Sequence, residues 1–384
     1  MKICLINLDY KPYRGSGLTI YGELLAEGLA NKGHEVSVIC SNHSSSDSEE
    51  TINKVKIYRV GPVKFDWIHF SYLATKKLNE LKKKQVFDII HFLDVHFAYD
   101  YKGNFLASIL QSFRQRLTAD NNLPYHSSFL NLIQRYILYN FCKILEIISL
   151  KKAELLISVS NATKTEFTKN YHIPSNKIKT IYIGAPLNKR GSNQSKLKNQ
   201  LAINKKEKVL LFVGFLNPRK GIEYLIQAFN KISKPVTLIL IGKWECNYKN
   251  KILRQIKGKE KVIVTGYLPD RELYKYYSIA DILIIPSLLE GFGIPVIEAM
   301  HLGIPVIASN ADSLPEIVGE AGIIVKKRST KFLLKAINLL IGDENLRKKI
   351  SKIGKKRAKK YFLLKNMIIS YEKIYNDYLK KNIN

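Results

Sequence analysis

Residues 290–300 read EGFGIPVIEAM and follow an apolar run, DILIIP, at 281–286. A run of that kind, bounded by turn formers, fits a strand buried on both faces. After the Gly291-Phe292-Gly293 turn, Pro295 stands where a helix begins, and Val296, Ile297, Ala299 and Met300 keep helical spacing. A strand, a glycine turn and a helix start bring backbone N–H groups and the positive end of a dipole to one spot. Phosphate oxygens suit that spot, and glycine lets a ligand approach the main chain. Glu290 and Glu298 bracket the turn and offer acceptors to hydroxyl groups. The stretch therefore reads as a site for a molecule that carries both phosphate and sugar.

Working outward, residues 209–214 (VLLFVG) form a second buried-strand pattern, followed by Asn217-Pro218-Arg219-Lys220-Gly221 and an apolar helix pattern. Arg219 can grip phosphate oxygens with its planar fork, and Lys220 adds a point charge. Together they suit stabilisation of negative charge on a departing diphosphate; a solvated loop is the plainer reading of the same residues. Further strand patterns at 236–242, 262–266 and 306–309 alternate with helical ones, which predicts a doubly wound α/β fold. The first half repeats the alternation. Strands are expected at 2–7, 35–40 and 87–92, with a helix over 18–31 stopped by Gly33 and a polar loop at 41–50. Arg14-Gly15-Ser16-Gly17 is a glycine-rich turn opening that helix, a signal that ordinary turns also give. A strand TIYIG, ending at Gly184, is expected to close the first domain. The boundaries read as 1–185 for the first domain, 186–208 for a polar, basic linker with a short helix, and 209–345 for the second.

The spacing of Glu290 and Glu298 resembles the E-x7-E motif of the family 4 retaining glycosyltransferases. Those have the glycosyltransferase-B fold, two doubly wound Rossmann-like domains facing across a cleft. Residues 264–325, 211–229 and 157–167 are similar to the family in the family's order, and the first 40 residues match more loosely. The resemblance implies that residues 346–384 cross back to the N-terminal domain. It further implies that Glu290 lies by the transferred sugar and that Glu298 holds the ribose. Gly291 and the main-chain N–H groups of Phe292, Gly293 and Ile294 would cover donor oxygens, while Arg219 and Lys220 contact the diphosphate. Gly15 and Gly17, with Arg14, would lie near donor phosphate and acceptor.

Two positions depart from the family pattern. Phe215 stands where many members have a cationic residue, and Arg114, in Gln111-Ser112-Phe113-Arg114, stands where many have histidine. Arginine stays protonated and cannot act as a general base. Proton handling then falls to the donor phosphate or to another group. Of the nearby histidines His91, His96 and His126, His96 is favoured because it follows Asp94 at a strand's carboxyl end.

The implied activity is metal-independent, retaining transfer from a nucleotide-diphosphate sugar to a glycan or lipid-linked acceptor, in surface polysaccharide or glycolipid synthesis. No cofactor and no metal is expected. Cationic side chains and a helix end would take the place of a divalent ion, since no His, Cys or Asp spacing suggests a metal cage. A nucleotide-sugar 2-epimerase of the same fold and a non-catalytic sugar-nucleotide binder are the alternative readings.

At 384 residues and 46% hydrophobic composition, the chain is long enough for two cores. Its net charge of +30 asks for anionic partners. No nucleic-acid module or aromatic–basic repeat is present, so an anionic membrane surface or a phosphate-bearing acceptor is the better candidate and nucleic acid is not expected. The excess starts late: residues 1–100 hold 13 Lys/Arg against 12 Asp/Glu, whereas 101–200 hold 15 against 4. The segment 125–152 adds many apolar and aromatic residues on more than one helix face, which fits either a core helix or a lipid-facing one. No apolar run is long enough to span a bilayer, and MKICLINLDY lacks the core and cleavage site of a signal peptide. The expected place is the cytoplasm, with the basic surface at the inner face of a membrane. Cys4, Cys40, Cys142 and Cys246 are far apart and read as reduced thiols.

Overall fold

The apolar runs of the chain build two separate sheets. The computed structural model describes residues 1–13, 16–42, 48–63, 66–120, 129–186, 194–204, 206–245, 248–257 and 261–383. Its chain divides into two units. The first contains Met1–Thr118, Ser128–Gly184 and Leu364–Asn384, and the second contains Ala185–Leu363.

The first sheet comprises β1 (Lys2–Ile6), β2 (Glu35–Ser41), β3 (Glu49–Ile52), β4 (Val55–Val60), β5 (Ile89–Phe92), β6 (Leu106–Ile109), β7 (Leu155–Ser158) and β8 (Ile178–Thr180). Their spatial order is β3-β4-β2-β1-β5-β6-β7-β8. All neighbours run parallel except β3 and β4, an antiparallel hairpin turned by Asn53 and Lys54 at φ 48° and 68°. The polar loop expected over 41–50 therefore gives way at Glu49 to an edge strand, and residues 43–47 lie outside the described ones. Of the expected strand TIYIG only Thr180 belongs to β8.

The second sheet comprises β9 (Lys208–Val213), β10 (Val236–Ile241), β11 (Lys261–Gly266), β12 (Ile282–Ile285), β13 (Val306–Ser309) and β14 (Gly322–Val325), in the order β11-β10-β9-β12-β13-β14. All its strands are parallel. β9, β10, β12 and β13 are apolar throughout their middles because helices cover both faces. The order reverses between β9 and β12, and in sheets of this kind ligands bind beyond the strand ends at such a reversal.

The C-terminal helix Leu364–Ile383 belongs to the first unit. Met367, Ile368, Tyr371 and Tyr375 fall on one face at helical spacing and are buried there. Ile368 passes Gly28 of the helix Gly17–Asn31 so closely that a Cβ on Gly28 would meet it at 2.3 Å. The return to the first unit begins at Leu364, whereas the sequence reading drew it from residue 346. The preceding helix Glu344–Tyr361 stays with the second unit. Its Gly354 lies against Met300, and Arg357 donates to the carbonyls of Ile317 and Glu316 at 2.9 and 2.6 Å.

A buried polar cluster ties the returning helix to the first sheet. His91 Nδ1 meets the Tyr375 hydroxyl at 2.7 Å and His91 Nε2 meets Ser108 Oγ at 2.9 Å. Ser108 also contacts the Tyr21 hydroxyl at 2.8 Å, and Tyr21 in turn contacts Tyr371. Burial pushes the imidazole down to about 3, so it stays neutral at ordinary pH. Tyr375→Phe would leave one ring nitrogen buried without its partner. The expected loss is about 1–3 kcal/mol of unfolding free energy. Urea denaturation followed by circular dichroism measures it, and an unchanged midpoint would count against this cluster as a clasp.

Candidate active site

Within the second unit, the loops after β9 and β12 meet at the sheet's reversal. Leu288 N donates to Arg219 O at 2.6 Å, joining the two loops through their main chains. Gly221 ends the basic turn with φ 66°, and a Cβ there would stand 2.1 Å from Pro286 O. Only glycine permits that approach. Gly242 makes a similar approach to Gly214, where a Cβ would fall 1.8 Å from the carbonyl oxygen.

This docking places Lys220 against Glu290: Nζ donates to Oε2 at 2.7 Å, and Ser287 Oγ donates to the same oxygen at 3.0 Å. Both ionic side chains are partly exposed, so water screens the pair and its stabilising effect is small. The Glu290 main chain is held as well. Its N–H donates to Asp312 Oδ2 at 2.9 Å, and Ser313 Oγ donates to the Glu290 and Phe292 carbonyls at 3.3 and 3.1 Å. Arg219 is half-buried on the same turn.

Gly293 caps the helix Ile294–Leu302 with φ 101°, and Pro295 occupies the first turn. First-turn N–H groups have no partner within their own helix. Phe292 is buried and meets the Phe362 ring edge-on at 6.0 Å. Gly291 is half-buried beside it. Ile297, Ala299 and Met300 are buried, as the periodicity predicts.

Glu298 is partly buried on that helix. Tyr277 donates to Oε2 at 2.8 Å and Tyr274 to Oε1 at 3.3 Å, both from the helix Asp270–Ile279. Burial raises the Glu298 carboxyl to about 7; the tyrosine hydroxyls oppose the rise and Asp270 adds to it. Ser287, Asp312, Ser313, Tyr274 and Tyr277 are functional candidates that the sequence reading did not single out. The tyrosines carried a signal, three residues apart on an amphipathic helix, but nothing in one dimension pairs them with Glu298.

The remaining candidates belong to the first unit or fall outside the described residues. Arg14 and Gly15 are outside, as are His126 and Cys246. Gly17 is the exposed first residue of its helix. Arg114 is exposed and its guanidinium lies 3.3 Å from both Glu166 oxygens. His96 is buried between two carboxylates, with Nδ1 2.5 Å from Asp94 and Nε2 3.0 Å from Glu146. Burial alone would lower its pKa, but the Asp94 and Glu146 carboxylates outweigh that and lift it to about 9. At neutral pH it is an imidazolium with both nitrogens engaged, so it is no proton acceptor. The acceptor-side role expected for His96 gives way to a structural one. Cys4, Cys40 and Cys142 are buried thiols that form no disulfide.

Comparison with known proteins gives the family and the fold. Residues 193–357 match the family model described as glycosyl transferases group 1, and residues 15–189 match glycosyltransferase family 4. An uncharacterized glycosyltransferase of Methanocaldococcus jannaschii is 30% identical over 93% of this chain and 93% of its own. The O-antigen chain mannosyltransferase B of Escherichia coli is 28% identical over 56% of this chain and 58% of its own. Among solved structures, Anabaena HepE in complex with UDP and glucose superposes with a TM-score of 0.76 at 19% identity, covering 98% of this chain and 99% of that one. The fold is that of the glycosyltransferase-B class. This chain belongs to the family 4 glycosyltransferases, and it is a glycosyltransferase.

The raised Glu298 carboxyl has a consequence for stability. Unfolded, the group ionises near 4.5; folded, it holds its proton up to about 7. Its favourable contribution is therefore complete below 4.5 and is lost as pH rises through 7. Glu223, raised to about 7 by burial, acts in the same window. Glu298→Gln is expected to remove part of the fall in stability across that window, and Glu298→Gln with Glu223→Gln most of it. Urea midpoints at a series of pH values test this, and identical pH slopes for all three proteins would contradict it.

Proposed function

We propose that this chain is a retaining, metal-independent glycosyltransferase that moves a sugar from a nucleotide-diphosphate donor to a glycan or lipid-linked acceptor. The Lys220–Glu290 pair at the sheet reversal, beside the glycine-capped helix start, carries the reading. There a cation meets the place for a diphosphate while a carboxylate meets the place for a sugar. HepE, whose structure holds UDP and glucose, supports a nucleotide-sugar donor for a chain of this fold. The E. coli mannosyltransferase supports a place in the synthesis of surface polysaccharide or glycolipid.

In this reading Arg219, Lys220 and the first-turn amides at Gly293 and Ile294 hold the diphosphate and stabilise its charge as the bond to the anomeric carbon breaks. Gly291 and Phe292 let the main chain close on donor oxygens. Glu290, steadied by Ser287 and Asp312, touches the sugar hydroxyls and balances positive charge at the anomeric carbon. Glu298, positioned by Tyr274 and Tyr277, accepts from the ribose hydroxyls. The acceptor oxygen bonds to the anomeric carbon on the face the diphosphate leaves, and its proton passes to a departing phosphate oxygen. That route needs no imidazole, which agrees with Arg114 at the position where histidine is common in the family. The protein would act from the cytoplasm as a peripheral partner of an anionic membrane surface.

Glu290→Gln is expected to lower transfer by about 10²–10³-fold while donor binding changes little, and Lys220→Met to weaken donor binding as well. A calorimetric screen of nucleotide sugars identifies the donor, and proton NMR of the product reads the anomer. An inverted anomer, loss of turnover on adding a chelator, full activity in Glu290→Gln, or a C2 epimer formed from donor alone would each overturn part of this proposal.

A further inference from the structure

The helix Phe129–Lys152 has two faces that demand different surroundings, one turned inward and one outward. Cys142, Glu146, Ser149 and Leu150 point into the first unit and are buried. Glu146 anchors the helix there, accepting from Phe113 N and from the Tyr171 hydroxyl as well as facing His96. On the opposite side Ile133, Ile137, Phe141, Ile144 and Ile148 are all exposed, with Tyr136 beside them. Ile137 is 63% and Ile144 57% accessible, far more than core isoleucines show. At about 100° per residue these positions fall within one stripe, roughly 22 Å long at 1.5 Å per residue. A contiguous apolar stripe of that length is a contact surface rather than scattered surface hydrophobics.

Charge decides the occupant. The described charged side chains of this helix are Arg135, Lys143, Lys151 and Lys152, with Glu146 within the core; Arg135 falls on the side opposite the stripe. Lys143 and Lys151 flank the stripe, where long stems lie along apolar surface while ammonium groups reach a polar layer. A second copy packed isologously on this face would set those cations against themselves, in a chain whose net charge is +30. Acyl chains beneath anionic headgroups satisfy both the stripe and its rim. No helix among the described residues is long and apolar enough to cross a membrane, so the contact is one of lying on the surface.

We infer that the face Ile133–Ile137–Phe141–Ile144–Ile148 of this helix is the docking surface of the protein for an anionic lipid bilayer, with the stripe sunk among the acyl chains. The inference rests on the membrane-surface reading proposed above and supplies its site. Buried Glu146 fixes the helix from behind, so the face is presented preformed.

The test uses the full chain and vesicles of phosphatidylcholine with or without phosphatidylglycerol, sedimented at low and high salt. The expected result is binding to anionic vesicles that weakens but persists at high salt. The triple variant Ile137→Ser, Phe141→Ser, Ile144→Ser is expected to lower the partition coefficient about tenfold or more. Melting temperature and nucleotide-sugar binding, measured on the same samples, should not change. Absence of vesicle binding, or equal partition of both proteins, overturns the inference. So does a dimer of the parent protein that the triple variant dissolves while vesicle binding stays intact. If vesicles bind as expected but no nucleotide sugar does, the docking surface stands and the proposed reaction falls.

Discussion

Lys220 and Glu290 meet at 2.7 Å because two loops, some seventy residues apart in sequence, are clamped together by their backbones. The clamp has little to do with the charges themselves, which are partly exposed and screened. It depends on Gly221, whose missing Cβ lets the turn lie against Pro286 O, and on the amide of Leu288, which reaches Arg219 O. Everything else in the second unit arranges itself around that contact. β9 and β12 are neighbours, so the loops that leave their carboxyl ends emerge side by side. β13 lies next to β12, so Asp312 and Ser313 arrive at the right height to hold the main chain of Glu290 and Phe292.

The pairing of a cation and a carboxylate suits the proposed chemistry. In that proposal a diphosphate would supply oxygens for Lys220 and sugar hydroxyls would supply donors for Glu290, so each partner would find a replacement on donor entry. Exposure keeps the exchange inexpensive, since neither charge is stranded in a dry interior. Glu298 is a contrasting case. It is buried enough for its proton to persist to about 7, and two tyrosine hydroxyls set its orientation. One carboxylate stands at the mouth of the helix, paired with Lys220, and the other is fixed deeper along it.

The first unit uses polar groups differently. His91, Ser108, Tyr21, Tyr371 and Tyr375 form a buried neutral cluster that fastens the returning helix to the sheet. Asp94, His96 and Glu146 form a buried ionic one that fastens the helix Phe129–Lys152. Two histidines close in sequence thus differ in charge, because burial holds one neutral while neighbouring carboxylates keep the other protonated. The place of His96 in the chain favours a proton-handling task, and its burial between two carboxylates speaks against one.

The sequence by itself determined the alternation of strands and helices, the buried runs of the second sheet and the glycine turn between Glu290 and Glu298. Those features are local: period, chain stiffness and turn chemistry are written within a dozen residues. It also supplied the family, because three motifs stand in the family's order. It did not disclose the hairpin β3–β4, whose strands are short and edge-placed, or the point at which the chain returns to its first unit. Nor did it pair Tyr277 with Glu298, Asp312 with Glu290, or His96 with Glu146, since contacts between distant segments depend on which strands become neighbours. The helix Phe129–Lys152 shows the division most plainly. Its apolar residues were visible from the start, but only packing decided which of them face the core, because a helix apolar on several sides has no preferred face until something covers one.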